Sequence, residues 1–87
     1  MNITITEPNK SASKFVSSDL SLVTAISLFY PFEAIDRGNP RKAQFIFIRN
    51  SQLDELVEKY WKKELRIEPR QFFDQLKAIK TQLYSNG

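Results

Sequence analysis

Apolar residues along the chain change their period several times, and each change marks an element. From Leu20 to Phe29 they are nearly continuous. Leu22, Val23, Ile26 and Phe29 fall on one helical face, while Leu20, Ala25 and Leu28 widen the arc and Ser21, Thr24 and Ser27 line the other side. This predicts a helix over about Asp19 to Phe29, started by the N-cap chemistry of Ser17, Ser18 and Asp19 and preceded by a short strand at Phe15 and Val16. A helix so apolar is expected to be covered on more than one side.

Pro31 stops that helix. The next segment reads as a hairpin, with Phe32, Ala34 and Asp36 facing one way and Glu33 and Ile35 the other, a turn at Gly38, Asn39 and Pro40, and a return strand over Ala43 to Arg49. On that strand Phe45 and Phe47 alternate with Ile46 and Ile48, so both faces are apolar. A central strand covered on both faces is therefore expected. Asn50 or Ser51 caps a second helix over about Gln52 to Lys63, carried by Leu53, Leu56, Val57 and Tyr60. Leu65 to Ile67 form a short link. Glu68 is pushed out of helical geometry by Pro69, which then begins a third helix as its first residue, with an apolar stripe of Phe72, Phe73, Leu76, Ile79 and Leu83 up to about Tyr84.

The order strand, helix, strand, strand, helix, short link, helix defines an α+β fold, with a small antiparallel or mixed sheet and helices packed mainly on one face. Residues 1–13, without a sustained period, read as a flexible tail in which ITIT at 3–6 has strand character, and residues 14–87 as a single domain. In an 87-residue chain the buried fraction is small, so the stability margin is thin and dimerisation would be useful.

Composition narrows the chemistry. There is no Cys and no His, which excludes disulfides, thiolate or imidazole metal ligands and imidazole acid–base catalysis. The carboxylates form no catalytic pattern. Glu33 and Asp36 are expected on opposite faces of a strand, and Asp54, Glu55 and Glu58 sit in early helical turns where acids complement the dipole. Asp19, Asp36 and a lysine would have to meet in space to make a metal site. A non-enzymatic protein with no cofactor is the expectation. No basic-then-apolar leader and no long apolar run is visible, which predicts a cytoplasmic protein without a membrane partner.

Net charge is +3, but it is segregated, with residues 37–49 carrying +4 and no acid, between two blocks of −3 at 19–36 and 50–58. Alternating blocks favour a mixed surface over one field, and the fold decides which become neighbours. Arg37, Arg41, Lys42 and Arg49 make the hairpin a candidate phosphate-binding ribbon, with Arg41 and Arg49 expected at opposite ends of the Phe45 and Phe47 face and Lys42 on the other. The same charges also suit the plainer role of keeping strand ends from pairing with other chains. Lys62 and Lys63, with Lys59 beside Tyr60 and Trp61, offer a second candidate, since cations next to an exposed ring make a stacking platform for nucleic acid. They equally complement the end of a helix dipole, and Trp61, on the flank of the apolar stripe, is expected to be core or edge of core. Lys77 and Lys80 read as an ordinary solvated face with Asp74 and Arg70 or Gln71.

The run SSDLSLVTAISLFYPFEAIDRGNPRKAQFIFIR, followed by YWKKELRIEP and LKAIKTQLY, resembles a family of small prokaryotic and phage domains of unknown function. The shared features are a Ser/Thr-Asp-Leu helix start, an Asp-Arg hairpin ahead of a Phe-rich strand, a Tyr-Trp ending the middle helix and a closing Leu-Lys helix, spanning roughly residues 15–85. The resemblance implies a prokaryotic or phage origin and a self-standing domain, and lends no activity. Two expectations result: a nucleic-acid-associated accessory protein contacting phosphates through Arg37, Arg41, Lys42, Arg49, Lys62 and Lys63, or a protein-interaction or homodimeric module using the C-terminal helix and Trp61, Phe73 and Tyr84.

Overall fold

The structure is a computed structural model, described here for residues 13–39 and 41–84. Three strands, β1 (Lys14–Ser17), β2 (Ala34–Asp36) and β3 (Gln44–Ile48), and three helices, α1 (Leu20–Ser27), α2 (Ser51–Trp61) and α3 (Pro69–Tyr84), follow the expected order. The sheet is antiparallel with β3 in the middle, pairing Phe15 with Phe47 on one side and Ile35 with Phe45 on the other. The α+β arrangement expected from the sequence is the one found. The expected tail, and the strand character of residues 3–6, concern residues outside those described apart from Ser13, whose carbonyl accepts the N–H of Arg49.

Local chemistry fixes the helix starts. Asp19 Oδ1 accepts from the N–H groups of Ser21 and Leu22, and Asn50 Oδ1 from that of Leu53 at 2.8 Å. At α3 the cap is Glu68, whose Oε1 accepts from Gln71 N at 2.8 Å, with Pro69 at the first helical position. Two helices stop two residues earlier than periodicity suggests. The N–H groups of Phe29 and Tyr30 both turn back to the Ile26 carbonyl, so the chain leaves α1 before Pro31 can clash with it, and α2 ends at Trp61 with Lys62 as its cap.

The core forms where the sheet's inner face meets α1 and the other helices. Leu22, Val23, Ile26, Phe45, Phe47, Leu53 and Ile79 are buried together, and Phe32 sets its ring edge-on to both Phe45 and Phe47. Phe32 therefore shares the side of Ile35 rather than that of Ala34, because residues 31–33 are not strand and do not alternate. As expected from its composition, α1 is covered on several sides and even Thr24 is fully buried. Its hydroxyl is satisfied by donating to the Leu20 carbonyl at 2.7 Å. Gln75 Nε2 donates to Ser27 Oγ and ties α3 to α1.

The central strand is not covered on both faces by the described elements. Val16, Ile46 and Ala34 stand abreast on the outer face, and Val16 and Ile48 are about half exposed. The helices all pack on the Phe45 and Phe47 side, and on the outer face Ile46 lies between its cross-strand partners Val16 and Ala34. The ion pair of Lys14 with Glu33 bridges the two edges of the sheet across β3.

Candidate nucleic-acid interface

Residues between β2 and β3 form a loop whose shape is set by side chains of the chain itself. Asp36 Oδ1 accepts from Gly38 N at 2.9 Å, Asn39 Oδ1 accepts from Arg41 N at 2.9 Å, and Lys42 N donates to the Asn39 carbonyl. The first two are Asx turns, and the third is a main-chain turn bond. Gly38 suits the first because a Cβ there would lie 3.1 Å from the Asp36 carboxylate. The loop leans on the end of α3, where Arg37 Nη2 donates to the Gln82 carbonyl at 3.0 Å and so places a cation at the negative end of the helix dipole.

This docking opens a groove of about 370 Å³ lined by Arg37, Asn39, Arg41, Ala43, Leu83 and Tyr84. Two arginines and a tyrosine ring that is 73% exposed thus share one concavity. Among the described residues no carboxylate forms an ion pair with either arginine, and Asp36, the nearest acid in sequence, is engaged with the Gly38 N–H. Arg41 lies in the turn, ahead of the strand, so it does not share the Phe45 and Phe47 face as strand alternation suggested. Lys42 is exposed beside it and lies outside the groove's lining.

The other predicted cations are not part of this surface. Arg49 follows the far end of β3 and binds Asp54 through its Nε at 2.9 Å. That hydrogen bond, and then the charge attraction, raise the pKa of its guanidinium. Lys62 pairs with Glu58 at 3.0 Å across one helical turn. Lys63 ends α2 in the left-handed conformation, with φ 62°. The loop touches the last turn of α3, whereas Lys62 and Lys63 lie just before the link into its first turn. The 16 residues of α3, about 24 Å at 1.5 Å per residue, separate the two groups.

Trp61 is 60% exposed, which corrects the expectation of burial. It is the final residue of α2, and the chain leaving the helix brings Leu65 and Ile67 to the side of Tyr60, while Trp61 meets the Tyr60 ring edge-on at 5.0 Å. A second groove, of about 340 Å³ and apolar, lies there between Ala25, Tyr60, Leu65, Ile67, Pro69 and Phe72. Phe73 is 59% exposed on α3, and of the three aromatic candidates Tyr84 alone lines the cationic groove.

Among the described residues no three acidic side chains converge on a point where a metal could sit. Asp19 and Asp36, the carboxylates considered for such a site, both accept backbone N–H groups. No described helix is long and apolar enough to cross a membrane.

The residues that sequence reading undervalued are Lys77 and Lys80. With Phe73 and Tyr84 they recur at steps of four, three and four, a spacing that keeps all four on one flank of α3. That spacing was available in the sequence, but not the fact that the hairpin docks at the end of the same flank.

Fold and surface together define a small α+β domain whose three helices pack on one side of a three-stranded antiparallel sheet, with a cationic groove at one end. The chain belongs to the family described as Domain of unknown function (DUF5659), whose model matches residues 13–85. No curated protein and no solved structure matches the chain significantly.

Proposed function

We propose that this domain is a non-enzymatic nucleic-acid-associated module that holds backbone phosphate in the groove between the β2–β3 loop and the end of α3. The observation that carries this reading is the convergence of Arg37 and Arg41 with the exposed ring of Tyr84. Arginine presents a planar fork matched to phosphate oxygens, and a guanidinium with no carboxylate partner in an open groove has donors to spare. The role belongs to Arg37 and Arg41, with Lys42 alongside. Arg49 and Lys62, each paired to a carboxylate on the protein, drop out of it.

The alternative, a homodimer or adaptor built on α3, is less well supported. Its exposed rings, Phe73 and Tyr84, are separated on the helix flank by Lys77 and Lys80, whose charges would have to be buried in an apolar interface.

Fluorescence anisotropy of labelled single-stranded and duplex oligonucleotides at low and physiological salt tests the proposal. Affinity that falls log-linearly with salt, and weakens in Arg41→Glu, is the expected result. Binding to neither oligonucleotide at low salt, or binding that Arg41→Glu leaves unchanged, overturns it.

A further inference from the structure

We propose that the ligand of this groove is a single nucleic-acid strand that runs from the Arg37 and Arg41 loop along one flank of α3, stacking bases on Tyr84 and Phe73 and resting phosphates on Lys80 and Lys77. The inference rests on the phosphate-binding reading above and adds the kind of strand and its path.

Helical geometry draws the path. At 100° per residue, positions 73, 77, 80 and 84 fall within an arc of about 60°, and at 1.5 Å per residue they extend about 16 Å along the axis. All four are exposed, with the rings of Phe73 and Tyr84 exposed by 59% and 73%. Tyr84 also lines the groove, so stripe and groove are one continuous surface. The order along it is ring, cation, cation, ring and then two arginines. Among the described residues neither lysine is ion-paired with a carboxylate. The acid nearest in sequence, Asp74, lies three residues before Lys77 and about 60° around the helix from it, and forms no ion pair with it.

Chemistry selects the strand. A ring that is to stack on a base needs that base's face to be free, and in a duplex the faces are covered by neighbouring base pairs. A splayed single strand offers them, and stacking of this kind is tolerant of sequence. Lysine can also read guanine edges in a duplex's major groove, but that use leaves the two exposed rings, which need free base faces, without stacking partners. Phe72 meets Phe73 edge-on at 5.6 Å and restrains its ring from one side while leaving it largely exposed. The two residues are about 16 Å apart along the helix axis, well beyond the spacing of adjacent stacked bases, about 3.4 Å, so their rings engage bases that are not neighbours.

The test is a titration of a labelled oligodeoxythymidine of about ten nucleotides, and of a duplex of equal length, with the unaltered chain and with Tyr84→Ala, Tyr84→Phe and the pair Lys77→Glu, Lys80→Glu. Expected are tighter binding of the single strand than of the duplex, a loss of about 5- to 100-fold in strand affinity for Tyr84→Ala with duplex affinity unmoved, retention in Tyr84→Phe, and weakening by the lysine pair. Tyr84 is exposed at the helix end, so its removal leaves the core intact. Duplex bound as tightly as single strand, indifference to Tyr84→Ala, equal losses in Tyr84→Ala and Tyr84→Phe, or indifference to the lysine changes overturns the single-strand path. Any of these can occur while Arg41→Glu still weakens binding, in which case phosphate contact stands without stacking. Failure to bind either oligonucleotide ends both readings.

Discussion

Two regions of this molecule place an exposed aromatic ring among cations, and they differ in where the acids are. At the end of α2, Trp61 adjoins Lys62 in the chain, and Lys59 and Lys62 line one concavity with Glu55, Glu58 and Glu64, Lys62 being already bound to Glu58. At the end of α3, Tyr84 stands near Arg37 and Arg41, and the neighbouring acid Asp36 is spent on its own turn. The first site supplies its own counter-ions from the helix that displays the cations. Among the described residues the second leaves its two arginines without a carboxylate partner. A ring beside lysines in a sequence is therefore a weak sign of an anion site, because helical spacing brings in neutralising partners that the run of residues does not display.

The largest test of that contrast is charge reversal at each site. Arg41→Glu should lower oligonucleotide affinity at low salt by about tenfold or more, since a charge-assisted hydrogen bond of about 1.5–3 kcal/mol is replaced by repulsion. It should also reduce the slope of log affinity against log salt by about 0.7 for each phosphate that the protein no longer neutralises on a single strand. Lys62→Glu, with the same change in net charge, should move affinity by no more than about twofold, through the long-range field alone, because Lys62 lies outside the groove; it also sets a second carboxylate one turn from Glu58, which costs a little stability. Equal losses would mean that net charge alone attracts the nucleic acid and that neither region is a site.

A smaller effect probes how the α3-end site is held. Asn39→Ala removes the side-chain acceptor for Arg41 N and should cost about 1 kcal/mol of stability, read from denaturant unfolding. Affinity should fall several-fold as Arg41 loses its fixed orientation. Reduced stability with affinity unchanged would show that Arg41 needs no preorganisation.

Much of this arrangement is legible along the chain, and the illegible part has a physical cause. Asp19, Asn50 and Pro69 announce their helices because capping is local chemistry, and the course of α3 can be read to Tyr84 from its stripe alone. The docking of the hairpin cannot be read. Arg37 and the Gln82 carbonyl are 45 residues apart, and nothing in either neighbourhood encodes the other. The burial expected for Trp61 fails for a related reason, since burial at a helix end depends on where the following link travels, and it travels over Tyr60. Among the described elements the outer face of β3 lacks the expected cover, because alternation reports that both faces are apolar and says nothing of what lies beyond each.

Lys63 gives the smallest prediction and the cleanest separation of the two regions. It closes α2 with its N–H donated to the Tyr60 carbonyl, while Glu64 N donates to that of Lys59. That is the hydrogen-bond pattern of a Schellman cap, in which the residue at this position adopts a left-handed backbone and is usually glycine. Lys63 does so at φ 62°, carrying a Cβ that costs about 1–2 kcal/mol in that conformation. Part of the cost returns as the extra chain entropy that glycine loses on folding, so Lys63→Gly should raise unfolding free energy by up to about 1 kcal/mol. The same change deletes one of the cations first considered for nucleic-acid binding. If the basic end of α2 is only a helix terminus, stability rises and oligonucleotide affinity stays where it was. A gain in stability with a fall in affinity comparable to that of Arg41→Glu would reverse the assignment, because the left-handed strain at Lys63 would then be retained for the sake of its charge.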